Sequence, residues 1–171
     1  MASNVGLRRR ESHHPALFLD FDGVLHPDAA YREGGRVVLR ADGIQLFEWV
    51  GVLEDLLAPY PTLQVVLSTS WVRVLGFDVA YSHLSERIRR RVVGATWYRT
   101  APRRWNRLSR YEQIRHTVER HRYARWLAVD DDGAGWADEH RGNLVLTDPL
   151  LGLGVDRAQQ DLREKLEWLH R

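Results

Sequence analysis

The chain has 171 residues, no cysteine, a formal net charge of +2 and 44% hydrophobic residues, which is typical of one globular domain. The absence of cysteine excludes disulfides, thiolate zinc sites, iron–sulfur clusters and cysteine nucleophiles, so any chemistry must use oxygen and nitrogen groups. No apolar run reaches the roughly 18 residues of a membrane span, and the arginine-rich start is not followed by the apolar segment of a secretory signal. We therefore expect a flexible basic tail over residues 1–14, a single domain over residues 15–171 and a cytoplasmic location.

Four short apolar runs stop abruptly at a polar residue, as buried strands do at the edge of a parallel sheet. In chain order the runs are residues 16–19 before Asp20, 65–67 before Ser68, 126–129 before Asp130 and 144–146 before Thr147, with a weaker example at residues 91–94. Segments with helical spacing of apolar residues lie between them, at residues 44–58, 83–90, 111–118 and 156–169. This alternation predicts a three-layer α/β sandwich with a Rossmann-like parallel sheet of about five strands. Residues 36–40, which lie between glycine-containing turns, predict a small hairpin or flap after the first strand.

Two carboxylates follow the first predicted strand, at Asp20 and Asp22, and Gly23 lets the chain turn sharply behind them. Residues two apart on an extended chain point the same way, so both carboxylates are expected to face one site. Two carboxylates this close repel one another when both are ionised. A cation such as Mg²⁺ would offset the repulsion, or the two acids would take different roles. The alternative is an ordinary Asp-Gly turn with no chemistry.

A second acidic group, Asp130, Asp131 and Asp132, follows another predicted strand. Three successive acids on one loop are costly unless they are solvated or bound to metal, and a solvated surface loop is the competing interpretation. Polar groups that follow parallel strands converge at the carboxyl edge of the sheet, where open α/β proteins bind ligands. If the two strands are neighbours, the two acidic groups meet across a cation.

The run LFLDFDGVLH at residues 17–26 resembles the first motif of the haloacid dehalogenase (HAD) superfamily of aspartate-nucleophile phosphohydrolases. The later motifs of that superfamily are matched in order by Ser68, a basic residue near Arg110, and the pair Asp130-Asp131. A closer likeness is to the small HAD domain of the Swiss Army Knife RNA repair proteins. That likeness is carried by LDFDGVLHP at residues 19–27, LSTSW at 67–71, GAT at 94–96, LAVDD at 127–131, and TDP at 147–149 with Gly152-Leu153 behind it.

The resemblance implies a HAD-like fold and assigns roles to several residues of the first two motifs. Asp20 would be the nucleophile that forms an aspartyl-phosphate. Asp22 would be the general acid that protonates the leaving oxygen and then the base that activates water. Ser68 would donate its hydroxyl to a phosphoryl oxygen, aided by backbone N–H groups at Thr69, and Gly23 would also contact the substrate.

The resemblance also implies a magnesium site with a basic residue beside it. Mg²⁺ would be held by the side chains of Asp20, Asp130 and Asp131 and by the main-chain carbonyl of Asp22. Arg110 would neutralise the charge of the transferred phosphoryl group, although the superfamily more often has lysine at this place. Arg107 is the rival for that role and a second candidate for substrate contact.

The intervals between the motifs leave no room for a cap domain, so the site is expected to stay open. An open site favours large phosphorylated substrates such as RNA or DNA ends. Aromatic and cationic residues interleave at residues 97–107, where they could stack bases and grip phosphates; ordinary packing and a solvated face are the alternative. The leading hypothesis is a Mg²⁺-dependent phosphomonoesterase, and the competing one is a non-catalytic HAD-like module that binds phosphate or nucleic acid.

Overall fold

The computed structural model describes residues 13–171, which form a sheet with helices on both faces; residues 1–12 of the predicted tail lie outside the described residues. The strands are β1 (Ala16–Leu19), β2 (Ala30–Glu33), β3 (Arg36–Leu39), β4 (Gln64–Leu67), β5 (Val92–Ala95), β6 (Trp126–Asp130) and β7 (Leu144–Leu146). The helices are α1 (Val50–Leu57), α2 (Ser70–Leu75), α3 (Phe77–Ser82), α4 (Glu86–Arg89), α5 (Arg110–His121) and α6 (Asp156–Leu169). Five of the strands pair in parallel in the order β5-β4-β1-β6-β7.

The side chains of β1 alternate between the two faces of the sheet, and both faces are covered. Leu17 and Leu19 pack in the larger core cluster with residues of α1 and α6. Ala16 and Phe18 pack in a second cluster with residues of α5. All four residues of β1 are fully buried, as expected for a central strand between two layers of helices. The predicted three-layer α/β sandwich is therefore confirmed.

The five predicted strands of the sheet form within one residue of their predicted positions. The predicted flap is the antiparallel hairpin of β2 and β3, which turns at Gly34-Gly35. Both glycines have positive φ values, 54° and 82°, a conformation that glycine adopts at little cost. Within residues 13–171 no further segment is inserted that could form a cap domain, and no helix there is long and apolar enough to cross a membrane.

Two of the predicted helices are shorter than the apolar spacing indicates. The helix expected at residues 44–58 begins only at Val50, because Phe47 has a φ of 60° and a left-handed residue cannot be part of an α-helix. Residues 83–90 contain only the single turn of α4. The apolar spacing does not predict α3, which Gly76, with a φ of 93°, separates from α2. By contrast, α6 has its predicted bounds, and α5 contains all of residues 111–118.

Candidate active site

Two buried acidic side chains meet where β1 and β6 end. Asp20 follows β1 and Asp130 is the last residue of β6, and these strands are direct neighbours in the sheet. One carboxylate oxygen from each of Asp20, Asp130 and Asp131 lies within 4.8 Å of the others. Asp20 and Asp130 are almost fully buried, whereas Asp131 is partly buried. The structure thus brings the two acidic groups together at the carboxyl edge of the sheet.

Arg110 lies between the two buried carboxylates. Its Nη2 is 3.2 Å from Oδ2 of Asp20, and its Nε is 3.1 Å from Oδ2 of Asp130. The side chain reaches both because α5 begins at Arg110, where Ser109 and Glu112 form a capping box. A cation in the first turn of a helix is opposed by the helix dipole. The two carboxylates therefore stabilise Arg110 at this position.

Besides Arg110, three residues are predicted to contact the phosphate. Ser68 and Thr69 lie near the site, and Arg107 lies at the surface. Ser68 follows β4 beside β1, and its buried hydroxyl has no hydrogen-bond partner within the described residues. Thr69 is also buried, and its Oγ1 accepts a hydrogen bond from the backbone N–H of Trp71 at the start of α2. Arg107 is exposed at the end of the 3₁₀ helix Arg103–Arg107, and nothing in residues 13–171 forms an ion pair with it. The geometry favours Arg110 over Arg107 as the basic residue of the site.

The carboxylate of Asp22 has partners of its own. Its Oδ1 is 3.1 Å from Nε2 of His26, and its Oδ2 accepts a hydrogen bond from the indole N–H of Trp71 at 3.0 Å. His26 follows the catalytic loop, where the sequence allows either contact with substrate or a hydrogen bond within the loop, and the structure shows the second. Trp71 is predicted only to pack under the second motif, and its contact with Asp22, 49 residues away, has no sequence signal.

Gly23 lets the loop after β1 approach the second acidic group. Its φ is 68°, and a Cβ at this position would lie 2.4 Å from Oδ2 of Asp131. The carbonyl oxygen of Gly23 accepts a hydrogen bond of 2.7 Å from Oγ1 of Thr147, which fixes the loop against the segment after β7. The structure gives Gly23 a backbone role, and its contact with substrate stays a prediction.

A family model for the HAD domain in Swiss Army Knife RNA repair proteins matches residues 16–158, from the start of β1 into α6. The chain belongs to this family. The matched region of this HAD domain contains all five strands of the parallel sheet and every carboxylate described above. No curated protein and no solved structure matches the chain. Family membership favours a function of the phosphohydrolase type.

Three carboxylates at this site of the HAD domain, those of Asp20, Asp130 and Asp131, have raised pKa values. Burial raises the pKa of Asp20, and the guanidinium of Arg110 offsets this only in part. Burial also raises the pKa of Asp130 well above its usual value, and the nearby charge of Asp20 raises it further. For Asp131, burial and the charge of Asp20 raise the pKa to about 6. A second positive charge at this place would let all three carboxylates ionise.

The residues of the site fit Mg²⁺, the cation that the HAD resemblance implies. Carboxylate oxygens are the ligands that this hard cation prefers. Oδ2 of Asp130 is buried and accepts no hydrogen bond from any residue of the described range 13–171, because the nearby N–H of Arg110 is not aimed at it. Mg²⁺ would therefore be held by Asp20, Asp130 and Asp131, while the side chain of Asp22 is engaged elsewhere.

A cleft of about 290 Å³ opens beside the site, with Thr69, Arg73, Trp97, Asn106 and Arg110 among the residues that line it. Trp97 is partly exposed and donates its indole N–H to Oδ1 of Asn106 at 3.1 Å, and Arg73 is exposed. Of the aromatic residues predicted to stack bases, Trp97 thus lines the cleft. Trp105 is instead buried against the rings of Tyr98 and His116.

Without metal, the stability of the HAD domain is expected to fall as the pH rises. The pKa of Asp131 has an ordinary value of 3.8 but is about 6 in the folded chain, so folding favours the protonated form and stability is lost as the pH rises through this window. The raised pKa values of Asp20 and Asp130 act in the same direction. Mg²⁺ binds ionised carboxylates, so the rise in Tm on adding Mg²⁺ should grow over the same range.

Thermal denaturation from about pH 4 to about pH 8, in EDTA or in Mg²⁺, measures this dependence. Asp131→Asn is the control, because its amide cannot titrate and should reduce both trends, leaving the part that Asp20 and Asp130 contribute. A rise in Tm with Mg²⁺ that is the same at every pH would contradict the assignment of the metal site.

Gly23→Ala is expected to lower the free energy of unfolding by about 2 kcal/mol or more and to weaken Mg²⁺ binding. The new methyl group meets a φ of 68° and also collides with the carboxylate of Asp131. Gly34→Ala is the matched control, because Gly34 also has a positive φ but no atom of residues 13–171 lies within 4 Å of the added Cβ. Its cost should be about 1 kcal/mol. Urea denaturation measures the stability of the two variants, and titration measures their affinity for Mg²⁺. Equal losses in Gly23→Ala and Gly34→Ala would contradict the close approach of Asp131 to Gly23.

Proposed function

We propose that this HAD domain is a Mg²⁺-dependent phosphomonoesterase that works through an aspartyl-phosphate at Asp20. The observation that carries the proposal is the buried cluster of Asp20, Asp130 and Asp131 at the ends of two neighbouring parallel strands. The family description and the unpartnered hydroxyl of Ser68 support it. The cytoplasmic location stays a prediction from the sequence.

In the first step, a carboxylate oxygen of Asp20 forms a bond to phosphorus while the ester P–O bond breaks. Asp22 gives its proton to the departing alkoxide, so an alcohol leaves and Asp22 becomes a carboxylate. In the second step Asp22 takes a proton from a water molecule, whose oxygen bonds to phosphorus as the bond to Asp20 breaks. Inorganic phosphate leaves, and both aspartates return to their starting states.

Arg110 and Ser68 stabilise the phosphoryl group during both displacements. The guanidinium of Arg110 is already at the nucleophile, 3.2 Å from Asp20, so it can donate hydrogen bonds to phosphoryl oxygens. The hydroxyl of Ser68, which follows β4 next to β1, is buried and has no acceptor among residues 13–171, and a phosphoryl oxygen would supply one. Bound Mg²⁺ would screen the negative charge that accumulates on the phosphoryl oxygens.

We propose further that the substrate is a phosphate at an RNA or DNA end. The part of the chain that the structure describes carries no cap to exclude a large molecule, and the cleft that Arg110 lines also presents Trp97 and Arg73. Exposed arginines on the same segment, Arg99, Arg103, Arg104 and Arg107, suit a polyanion. Stacking of one base on Trp97 would contribute about 1–3 kcal/mol. The family description, which names RNA repair, supports the same substrate class.

Phosphate release from 4-nitrophenyl phosphate and from 3′- and 5′-phosphorylated oligonucleotides, in Mg²⁺ or in EDTA, tests the proposed function. We expect Mg²⁺-dependent release, with a higher kcat/KM for an oligonucleotide than for the aryl ester. Binding of Mg²⁺ without release from any substrate would contradict the enzyme and favour the non-catalytic binding module.

Trp97→Ala is expected to raise KM for the oligonucleotide by about 10-fold, because it removes the stacking surface, and to leave the aryl ester unaffected. The matched control is Trp168→Ala, which removes an exposed tryptophan of α6. Equal KM values for the two variants would contradict a nucleic-acid contact at Trp97 while leaving the phosphatase activity intact.

A further inference from the structure

Both oxygens of the Asp22 carboxylate are held by side chains that the reaction scheme above does not use. Nε2 of His26 is 3.1 Å from Oδ1, and Nε1 of Trp71 is 3.0 Å from Oδ2. Asp22 itself is partly exposed, whereas His26 is fully buried and Trp71 nearly so. The carboxylate is therefore fixed from the protein side and open on the side that faces solvent.

The backbone of Phe47 decides which nitrogen of His26 carries the proton. The N–H of Phe47 donates to Nδ1 of His26 at 3.4 Å, so Nδ1 accepts and Nε2 holds the hydrogen in the neutral ring. Nε2 then donates to Asp22. Phe47 presents its N–H in this direction while its φ is 60°, a conformation that is costly for a bulky residue and that persists where the surroundings enforce it.

The indole ring of Trp71 is packed between other aromatic rings. Its ring centroid lies 5.7 Å from that of Phe21, 5.3 Å from that of Phe47 and 5.1 Å from that of His83, each in an edge-on arrangement. The indole N–H is a donor that neither accepts nor ionises. It therefore orients the carboxyl group, and it cannot take a proton from Asp22.

We propose that His26 and Trp71 are positioning residues that aim the carboxyl group of Asp22 at the leaving-group oxygen. The inference rests on the proposed role of Asp22 as the general acid. Each carboxylate oxygen keeps a lone pair after accepting one hydrogen bond, so proton transfer stays available while rotation of the group is suppressed. Misplacement of a reacting group by about 1 Å costs on the order of 100-fold in rate.

The test compares kcat/KM for two esters in Trp71→Phe, which removes the indole N–H and keeps an aromatic ring. An alkyl phosphate needs a proton on its leaving oxygen, whereas 4-nitrophenolate leaves without one. We expect kcat/KM for the alkyl ester to fall about 10- to 100-fold and that for the aryl ester to fall less than about 3-fold. Trp126→Phe is the matched control, because Trp126 is as buried but lies at the opposite end of β6 from Asp130.

A pair of variants at His26 tests the second donor and keeps the inference open to refutation if Trp71→Phe folds poorly. His26→Phe removes the donor and should reproduce the selective loss on the alkyl ester. His26→Gln, whose amide can donate to Oδ1, should restore much of the rate. Equal losses on the two esters, or no recovery in His26→Gln, would overturn the positioning role. A wild-type protein that hydrolyses neither ester would instead overturn the proposed function itself, and this inference with it.

Discussion

Asp20→Asn is expected to reduce phosphate release by at least about 1,000-fold on every substrate. The amide oxygen is too weak a nucleophile to form the covalent intermediate, and one of the three carboxylates of the proposed metal site is lost. The variant should still fold, because Asp20 is buried and burial raises its pKa, so a neutral side chain of the same shape removes an unfavourable charge. Steady-state phosphate release and thermal denaturation measure the two effects side by side.

The matched control for Asp20→Asn is Asp138→Asn, which makes the same change at an almost fully exposed carboxylate. It should retain wild-type turnover and stability. If Asp20→Asn kept more than about a tenth of the wild-type rate, another group would have to be the nucleophile.

Arg110→Ala is expected to lower the free energy of unfolding by about 3 kcal/mol when the metal is chelated. The substitution leaves Asp20 and Asp130 buried without the cation that contacts both at 3.2 and 3.1 Å. Mg²⁺ should recover part of the lost stability, because it supplies positive charge to the same two carboxylates. Urea denaturation at about pH 8, where the carboxylates must ionise, gives the largest difference between EDTA and Mg²⁺.

Arg141→Ala is the control for Arg110→Ala, since it removes an arginine from the exposed ion pair with Asp138. Exposed pairs of this kind contribute little, so its cost should stay below about 0.5 kcal/mol in either condition. Equal costs for the two variants, or no recovery of Arg110→Ala in Mg²⁺, would contradict the shared charge compensation at the site.

The strands were predictable because their information is local, whereas the start of α1 was not. A buried strand between two helical layers must be a short apolar run, and each of the five runs stops within one residue of a strand end. The apolar spacing at residues 44–58 also looks continuous, but the left-handed Phe47 interrupts it. That conformation is accompanied by packing against Phe21, His26 and Trp71, which come together only in the folded chain.

The meeting of Asp20 and Asp130 could be predicted from the positions of the strands, whereas the contact between Asp22 and Trp71 could not. Residues that follow parallel strands meet at one edge of the sheet, so Asp20 and Asp130 needed only that β1 and β6 be neighbours. The choice between Arg107 and Arg110 depended on where α5 begins, which the capping box fixes. Trp71 contacts Asp22 across 49 residues, and no spacing rule relates two such positions.

Trapping the covalent intermediate tests the central claim most directly. The protein is mixed with a ³²P-labelled phosphomonoester in Mg²⁺, quenched in acid, and digested to locate the label. We predict a hydroxylamine-sensitive label on the peptide that contains Asp20, absent in EDTA and absent from Asp20→Asn. Turnover with no label on that peptide, or a label on any other residue, would contradict an aspartyl-phosphate mechanism at Asp20.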